Sequence, residues 1–599
     1  DFKGPVYPIS RSHEEIQGRR CYPSIDKTPE RVDLAILIIP AQFVPDTLAA
    51  CGEAGVRAAQ ILTSGFAEET GDEGAALQDE IRAIAQRYDM AVLGPNSIGF
   101  ANAVSALCPT FSPAVDNIEL PLLPPWRQDG HITVVAQSGG IGFAFYDHGR
   151  PKQLPFNYIM TTGNEACLEA LDVVDHLLDE GKTDAFVLFM EGVKSGARLA
   201  PVAEKALKAG KPIILTKIGR SEAGVRAAAS HTASLAGSYQ AYQAIFQRYG
   251  IIEANDIEEM VDIAAGFSYH GRNLPRGKRV GICTASGGGG GWMADMCGAA
   301  GLEVPELDPE TRATIDAQLP AYGTSQNPID ATAQAVRKLG YAGLARMAAQ
   351  SDVLDGIISV ASCRNPTILE RERETMVELT RDIDKPMLFC SYTQPHEVSA
   401  EILGRAGIPL YGNMANCARA MAEMADYRAL RERFLSAPAI QGSDAGARDK
   451  VAAQLVEAGP VLCEYEVKPL LVAYGIPSGE EALATSADEA VAFATKVNGP
   501  VALKIQSPDI LHKTEAGGLA LNLEGGEAVR AGYAKVMAAA TDQTRGVLVQ
   551  AMAPKGREMI VGINRDATFG PMLMLGFGGI HVEVDPDVAL CPVPMDRNA

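Results

Sequence analysis

A chain of 599 residues is too long for one core, and at roughly 150 residues per domain it divides into about four. Hydrophobic residues at 47% and charged residues at 21% describe a soluble globular protein, and no apolar run reaches the roughly 20 residues needed to span a bilayer. Lys plus Arg number 53 against 74 Asp plus Glu, so a formal charge of −21 repels polyanions, excludes nucleic acid as the main partner, and leaves anionic ligands to local sites.

The chain opens DFKGPVYP, with neither a charged nor an apolar leader region, which reads as a start inside a domain without a secretion signal. Residues 33–40 (DLAILIIP) are a continuous apolar run ended by Pro40, the pattern of a strand buried on both faces of a parallel sheet. Residues 58–65 and 90–96 repeat the strand-to-glycine pattern with amphipathic stretches between, so residues 1–105 read as a Rossmann-like doubly wound unit. After a proline-rich stretch at 120–125, the run 131–140 (HITVVAQSGG) leads a strand into a small-residue turn. The apolar runs 185–190 and 212–217 continue the alternation, giving a second block over 128–270.

Inside that block, His231 lies in AAASHTASLAG (227–237), surrounded by small residues, hydroxyls and backbone that can close around a phosphate. Small neighbours let peptide N–H groups reach an anion, and a neutral imidazole is nucleophilic near pH 7. A loop histidine capping the next helix is the plain alternative for the segment alone; the matching parts elsewhere favour a phosphorylated catalytic histidine. A third block, 276–436, starts at 278–286 (KRVGICTAS) and runs into Gly287–Gly291, echoing the second at the same point of its fold. The long period of the echo implies duplicated flavodoxin-like domains rather than a solenoid. A polar stretch near 441–446 separates a fourth block, 456–599, with a helix and turn at 468–477 and a lysine-bearing strand at 501–505. Eleven cysteines lie scattered without C-x-x-C or metal-spaced Cys/His pairs, which reads as reduced thiols in a cytoplasmic protein.

These parts, in this order, resemble the NDP-forming acyl-CoA synthetase family, the ADP-forming acetate–CoA ligases related to succinyl-CoA synthetase. The resemblance rests on Gly94-Pro95-Asn96, Gln137-Ser138-Gly139, Gly163-Asn164-Glu165, Ser230-His231-Thr232, and Lys504 through the 507–514 run SPDILHKT into Gly517-Gly518. It implies an α/β multidomain fold: a Rossmann-like CoA-binding domain, two flavodoxin-like CoA-ligase domains and an ATP-grasp domain. The implied enzyme is an ADP-forming acid–CoA ligase that joins a small carboxylic acid to CoA at the expense of ATP through acyl-phosphate and phosphohistidine intermediates. His231 is then the travelling phosphohistidine, and His512 resembles the second phosphorylated histidine, which passes the group between nucleotide and His231.

The resemblance extends to supporting residues. Glu191 matches the acid that holds the active histidine; a carboxylate accepting one ring N–H leaves the other nitrogen free to attack. Ser138, Gly139 and Gly140, and Ser286, Gly287 and Gly288, sit where a strand turns into a helix, and helix N-termini bind phosphate. Pro40, Ala41, Ser64, Gly65, Asn96 and Ser97 are the positions implied to line the CoA pocket, with Ser97 where many relatives carry cysteine. Lys504 resembles the lysine that neutralises nucleotide phosphates, Val549 and Gln550 the hinge strand that reads adenine, and Glu558 a further ATP contact. Glu583 and Asp587 offer hard oxygen ligands for Mg²⁺, although a solvated acidic turn fits equally.

The opening strand and glycine-rich turn of the family's first domain do not precede Asp1, and the ATP-grasp block stops at Ala599 before the family's final portion. Tyr158 and Trp292 are candidates for shaping an acid pocket larger than acetate needs, and equally for core. Two other readings compete: lyase chemistry on a CoA-activated acid such as dimethylsulfoniopropionate, and a non-catalytic acyl-CoA-binding regulator. By family analogy alone the assembly is expected to be a homodimer, with no membrane partner.

Overall fold

The apolar runs of the second and third blocks become short, almost wholly buried strands, because a parallel sheet covered by helices on both faces favours apolar side chains. Ala185–Met190, Val280–Thr284, Gly356–Ala361 and Met387–Ser391 all follow this rule. The computed structural model describes residues 2–116, 122–127, 129–224, 226, 238–271, 273–438, 445–457, 461–554, 556–578 and 588–595. The chain divides into two units, residues 1–437 with 561–575 and 588–599, and residues 438–560 with 576–587.

In the first unit, strands Leu34–Leu37, Ala58–Ile61 and Ala91–Leu93 form a parallel three-stranded sheet. Helices Val44–Glu53 and Asp72–Arg87 pack together on one face, over Ala35, Leu37, Ala59, Ile61 and Val92. The apolar run at 33–40 is therefore not buried on both faces as its composition suggests: Ile36 is 43% and Ile38 73% exposed. The cause is position, since Leu34–Leu37 is an edge strand with helices over one side only.

Two larger sheets follow. The six-stranded one runs Ile252–Glu253, Ile213–Lys217, Ala185–Met190, Ile132–Ala136, Phe156–Thr161, Phe100–Asn102, parallel except for the last strand. The five-stranded one runs Ile329–Asp330, Val280–Thr284, Gly356–Ala361, Met387–Ser391, Leu410–Tyr411, all parallel. Setting the antiparallel edge strand aside, both have the order 2-1-3-4-5, the flavodoxin-like arrangement. The duplication expected from the echo of 131–140 in 278–291 is thus a duplication of topology. Helices Ile257–His270 and Met414–Ser436, each closing one repeat, pack against one another, and a single core runs from the first sheet into the second.

One buried ion pair stitches that helix pair. Lys152 Nζ donates to Asp262 of the first helix, whose other oxygen accepts from Asn416 Nδ2 of the second at 3.0 Å. Burial pushes the Asp262 carboxyl up, while Lys152 and Asn416 favour its charged form. Removing one partner strands the other, so Lys152→Met should cost about 3 kcal/mol in chemical denaturation, and the double variant Lys152→Met/Asp262→Leu should recover most of it.

In the second unit, strands Glu481–Ala484, Gly546–Ala551, Val501–Gln506 and Leu519–Leu523 lie in that order in an antiparallel sheet. Helices Ala487–Val497 and Gly526–Met537 cover it, enclosing Val501, Leu503, Ile505, Val529 and Val547. None of the described helices is long and apolar enough to cross a membrane.

Candidate active site

In the six-stranded sheet the chain leaves Ile132–Ala136 toward one edge and later returns to Ala185–Met190 on its other side. The carboxyl ends of these two strands flank the switch point, where open α/β sheets bind ligands. Gln137 leaves the first strand and Glu191 the second, and the Gln137 side chain is bonded to the main chain at Glu191. Gln137 Oε1 accepts from the N–H of Glu191 at 2.6 Å and of Gly192 at 3.1 Å, and its Nε2 donates to Gly192 O at 2.8 Å and to Glu165 Oε2 at 2.9 Å. One amide thus uses both donors and its acceptor to tie three loops.

Glu165 is buried, and burial pushes its carboxyl up against the pull of Ala170 N–H, Gln137, Thr162 and Lys194. Its Oε1 accepts from Thr162 Oγ1 at 2.9 Å and from Ala170 N at 2.8 Å. Gly163 has to be glycine here: φ is +57°, and a Cβ would lie 2.2 Å from Pro95 O. That close approach brings Asn164 onto Asn96, whose Nδ2 donates to Asn164 Oδ1 at 3.2 Å. Asn164 Nδ2 in turn donates to Glu68 and to Gln78 Oε1, and Lys194 Nζ donates to Asn164 O at 2.6 Å and to Glu165 O. Gln137, Asn164, Glu165, Glu68, Gln78 and Lys194 line a cleft of about 560 Å³ with Arg82 and Thr568.

Glu191 is held from its other side as well. Lys217, the last residue of Ile213–Lys217, is 2% exposed and donates Nζ to Glu191 O at 2.7 Å and to Ile218 O. The same ammonium stands 4.9 Å from the centre of the Tyr242 ring. Burial lowers the Lys217 pKa to about 8, against the opposing pull of the Glu191 charge.

Helices Gly139–Gly149 and Gly287–Ala299 begin at equivalent places in the two repeats. Ser138 is the N-cap of the first and makes no side-chain cap bond, whereas Ser286 accepts from Gly289 N at 3.3 Å. Ser138, Gly139 and Gly140 therefore adjoin Gln137 at the switch point, while Ser286, Gly287 and Gly288 occupy the matching turn of the second sheet.

The loops proposed for CoA do converge at the carboxyl ends of the three-stranded sheet. Thr63 Oγ1 donates to Ile39 O at 2.7 Å, Asn96 N donates to Thr63 O at 2.8 Å, and Gly65 stands against Ala41. Pro40, Ser64 and Asn96 are exposed there. Ser97 differs: it is 2% exposed, and its hydroxyl is bonded to Thr161 O at 2.6 Å and Thr161 Oγ1 at 2.9 Å, so its side chain braces the interior instead of facing a ligand. Tyr158 also lies away from the cleft. It is near the start of Phe156–Thr161, bonded to Glu180 at 3.1 Å, and lines a different cavity with His131 and Asp184. Trp292, 61% exposed on its helix, makes no pocket wall with these residues.

In the second unit, Lys504 Nζ donates to Glu464 Oε1 at 2.8 Å, with Lys468 at 3.1 Å and Lys513 at 3.8 Å from the same carboxylate. Burial pushes Glu464 up, but Lys504 and Lys468 overcome it and hold the carboxyl below its usual range. Lys468 also pairs with Glu481, so three ammonium groups share two carboxylates and the cluster keeps a net positive charge, of the sign a polyphosphate needs. His512 is exposed in the turn between Val501–Gln506 and Leu519–Leu523. Val549 corrects an expectation: Gly546–Ala551 is an interior strand with neighbours on both edges and Val549 is buried, so its backbone has no free edge for adenine. Gln550 lies in the same strand, half-buried, and Glu558 is exposed, its carbonyl accepting from Gly578 N at 2.7 Å. His231, Glu583 and Asp587 lie outside the described residues, and among the described residues no three metal-ligating side chains cluster.

Sequence reasoning passed over Glu68, Gln78, Arg82, Lys194, Lys217, Tyr242 and Thr568. Only Lys217 carried a signal, a lysine ending an otherwise apolar strand; the rest sit on loops and helices whose meeting depends on tertiary packing.

Comparison with known proteins gives three family matches: a CoA binding domain over residues 1–103, a succinyl-CoA ligase like flavodoxin domain over 129–267, and an ATP-grasp domain over 454–599. An acetate–CoA ligase (ADP-forming) of Archaeoglobus fulgidus is 32% identical over 608 residues, covering 100% of this chain and 84% of that protein. A 4-hydroxybutyrate–CoA ligase (ADP-forming) of Nitrosopumilus maritimus is 31% identical over 612 residues, covering 100% and 85%. Among solved structures, the dinucleotide forming acetyl-coenzyme A synthetase 1 of Ca. Korarchaeum cryptofilum, in complex with phosphate and ADP, has a TM-score of 0.63 at 28% identity, covering 74% of this chain and 92% of that one.

Proposed function

The chain belongs to the ADP-forming acyl-CoA ligase family, and from that premise we propose that it converts a small carboxylic acid, ATP and CoA to acyl-CoA, ADP and phosphate by way of phosphohistidine. The observation that carries this reading is the switch-point arrangement in which Gln137 and Lys217 clamp the main chain of Glu191 beside a phosphate-suited helix N-terminus.

In the proposed relay the γ-phosphoryl group of ATP is drawn to the Lys504, Lys468 and Lys513 cluster and passes to His512, releasing ADP, and then to His231. Glu191 accepts one ring N–H of His231 and leaves the other nitrogen as nucleophile. A substrate carboxylate oxygen then takes the phosphoryl group from His231, forming an acyl phosphate and restoring the imidazole. The CoA thiol, giving up its proton, attacks the acyl carbon and expels phosphate. N–H groups at the Ser138–Gly140 turn, and at Ser286–Gly288, hold the phosphate during these steps. Keeping the group on enzyme nitrogen denies it to water until the carboxylate arrives. The loops at Pro40–Ala41, Ser64–Gly65 and Asn96 seat CoA, and Glu583 and Asp587 would hold Mg²⁺, which would neutralise charge on the nucleotide phosphates. Relatives differ in the acid they take, acetate in one and 4-hydroxybutyrate in another, so the acid here is assigned only as small and carboxylic. The assembly is proposed to be a homodimer, to be read out by sedimentation.

The test is to incubate the protein with Mg²⁺ and γ-labelled ATP, then map acid-labile, base-stable label by peptide mass spectrometry. Label is expected on the His231 and His512 peptides, discharged by CoA plus one member of a panel of acids. Absence of label from both, in folded protein that binds ATP, would falsify the relay.

A further inference from the structure

Segment 561–575 follows the ATP-grasp strands in sequence yet belongs to the first unit, and its hairpin turn reaches the site described above. Asp566 Oδ1 shapes that turn by accepting from Thr568 N at 2.8 Å and Phe569 N at 2.9 Å. Thr568 lines the cleft and sits so close to Gly196 that a Cβ there would come within 2.1 Å of Thr568 O. Phe569 packs edge-on against Tyr242, centroids 4.7 Å apart at 89°. Tyr242 is fully buried and shares its three sides: Phe569 on one, the Lys217 ammonium over the ring at 4.9 Å, and its hydroxyl accepting from Val193 N at 3.2 Å. Besides Gln137, the Glu191–Gly192 loop is anchored at Val193, through Tyr242, and at Lys217, which holds Glu191 O at 2.7 Å.

We propose that Lys217 and Tyr242, braced by Phe569 of the hairpin, are positioning residues that set Glu191 for reaction, so that the histidine site is fully formed only when this C-terminal hairpin is seated. The inference rests on the reading of Glu191 as the residue that orients His231. Physically, Glu191 N is tied to the Gln137 side chain and Glu191 O to Lys217, so the main chain that carries the Glu191 carboxylate is fixed from both sides, and Lys217 lies outside the motif. A cation beside an aromatic ring gains when both are dry, and Phe569, perpendicular to the Tyr242 ring and 4.7 Å from it, packs against that ring. Without Phe569 the Tyr242 ring can tilt, the ammonium loses one partner, and the loop carrying Glu191 loses its anchor at Val193. A displacement of about 1 Å at a group-transfer site is worth on the order of 100-fold in rate.

The full chain is pulsed with γ-labelled ATP, quenched at intervals, and the label on His512 and His231 peptides is followed separately. In Lys217→Met, His512 should label at the wild-type rate while His231 labels about 10- to 100-fold more slowly, with kcat falling in parallel and KM for ATP unchanged. Phe569→Ala should show the same split at about 10-fold, and Phe569→Tyr should restore it. Folded Lys217→Met and Phe569→Ala proteins that label His231 at the wild-type rate would overturn the inference. Wild-type protein that never labels His231 would instead sink the underlying reading. Should either variant fail to fold by circular dichroism, Phe569→Leu, which keeps most of the apolar volume, carries the same expectation and decides.

Discussion

His231→Ala protein is expected to lose acyl-CoA synthesis by about 10⁴-fold or more while His512 still takes label from ATP. The size follows from chemistry: a methyl group cannot accept a phosphoryl group, and no described side chain at the switch point offers a substitute nitrogen nucleophile, because Lys217 has its ammonium engaged by two carbonyls and the Tyr242 ring. Lys194 is likewise held by the carbonyls of Asn164 and Glu165, and burial lowers its pKa without freeing it from them. Retained label on His512 distinguishes loss of the relay from loss of nucleotide binding, since the Lys504 cluster is untouched. The measurement is a coupled thioester assay with label mapping on the same sample. Synthesis at the normal rate would remove the phosphohistidine from the pathway and point to direct attack of the acid on ATP.

Glu191→Gln should cost about 10³- to 10⁴-fold in kcat with little change in KM for any substrate. The isosteric amide keeps the shape, and the main-chain bonds to Gln137 and Lys217 do not involve the side chain, so the loop stays in place. What changes is the group offered to the imidazole: a carboxylate holds a ring N–H and stabilises the imidazolium, whereas an amide can donate and favour the wrong tautomer. The variant should also lose a charge that favours the protonated form of Lys217, so the buried ammonium, already lowered to about 8, should titrate at lower pH still. Steady-state kinetics with the acid identified from the panel checks the first effect. An unchanged kcat would show that Glu191 is a strand-end residue with no part in the chemistry.

How much of this was readable beforehand differs from place to place. The motifs at 137–139, 163–165 and 94–96 were legible because each is a strand end followed by small or amide residues, a local pattern. Their meeting was not: Gln137 reaches Glu165 across 28 residues and Glu191 across 54, and Asn96 reaches Asn164 across 68. The hairpin turn at 566–569 gave no sign of its destination, since Phe569 finds Tyr242 more than 300 residues away. Ser97 and Val549 show the converse error, where a position in a motif was taken for a surface that packing had already filled.

The α/β alternation and the two histidines in small-residue and lysine-bearing contexts were legible in the sequence alone, because hydrophobic period and glycine placement act over a few residues. The shared 2-1-3-4-5 order of the two repeats, the exposure of Ile36 in Leu34–Leu37 and of Ile38 just after it, and the gathering of Lys217, Tyr242 and Phe569 behind Glu191 came from tertiary packing. The reason is that strand order and the burial of a lone cation depend on which distant surfaces are brought together, and a local pattern does not specify its partner.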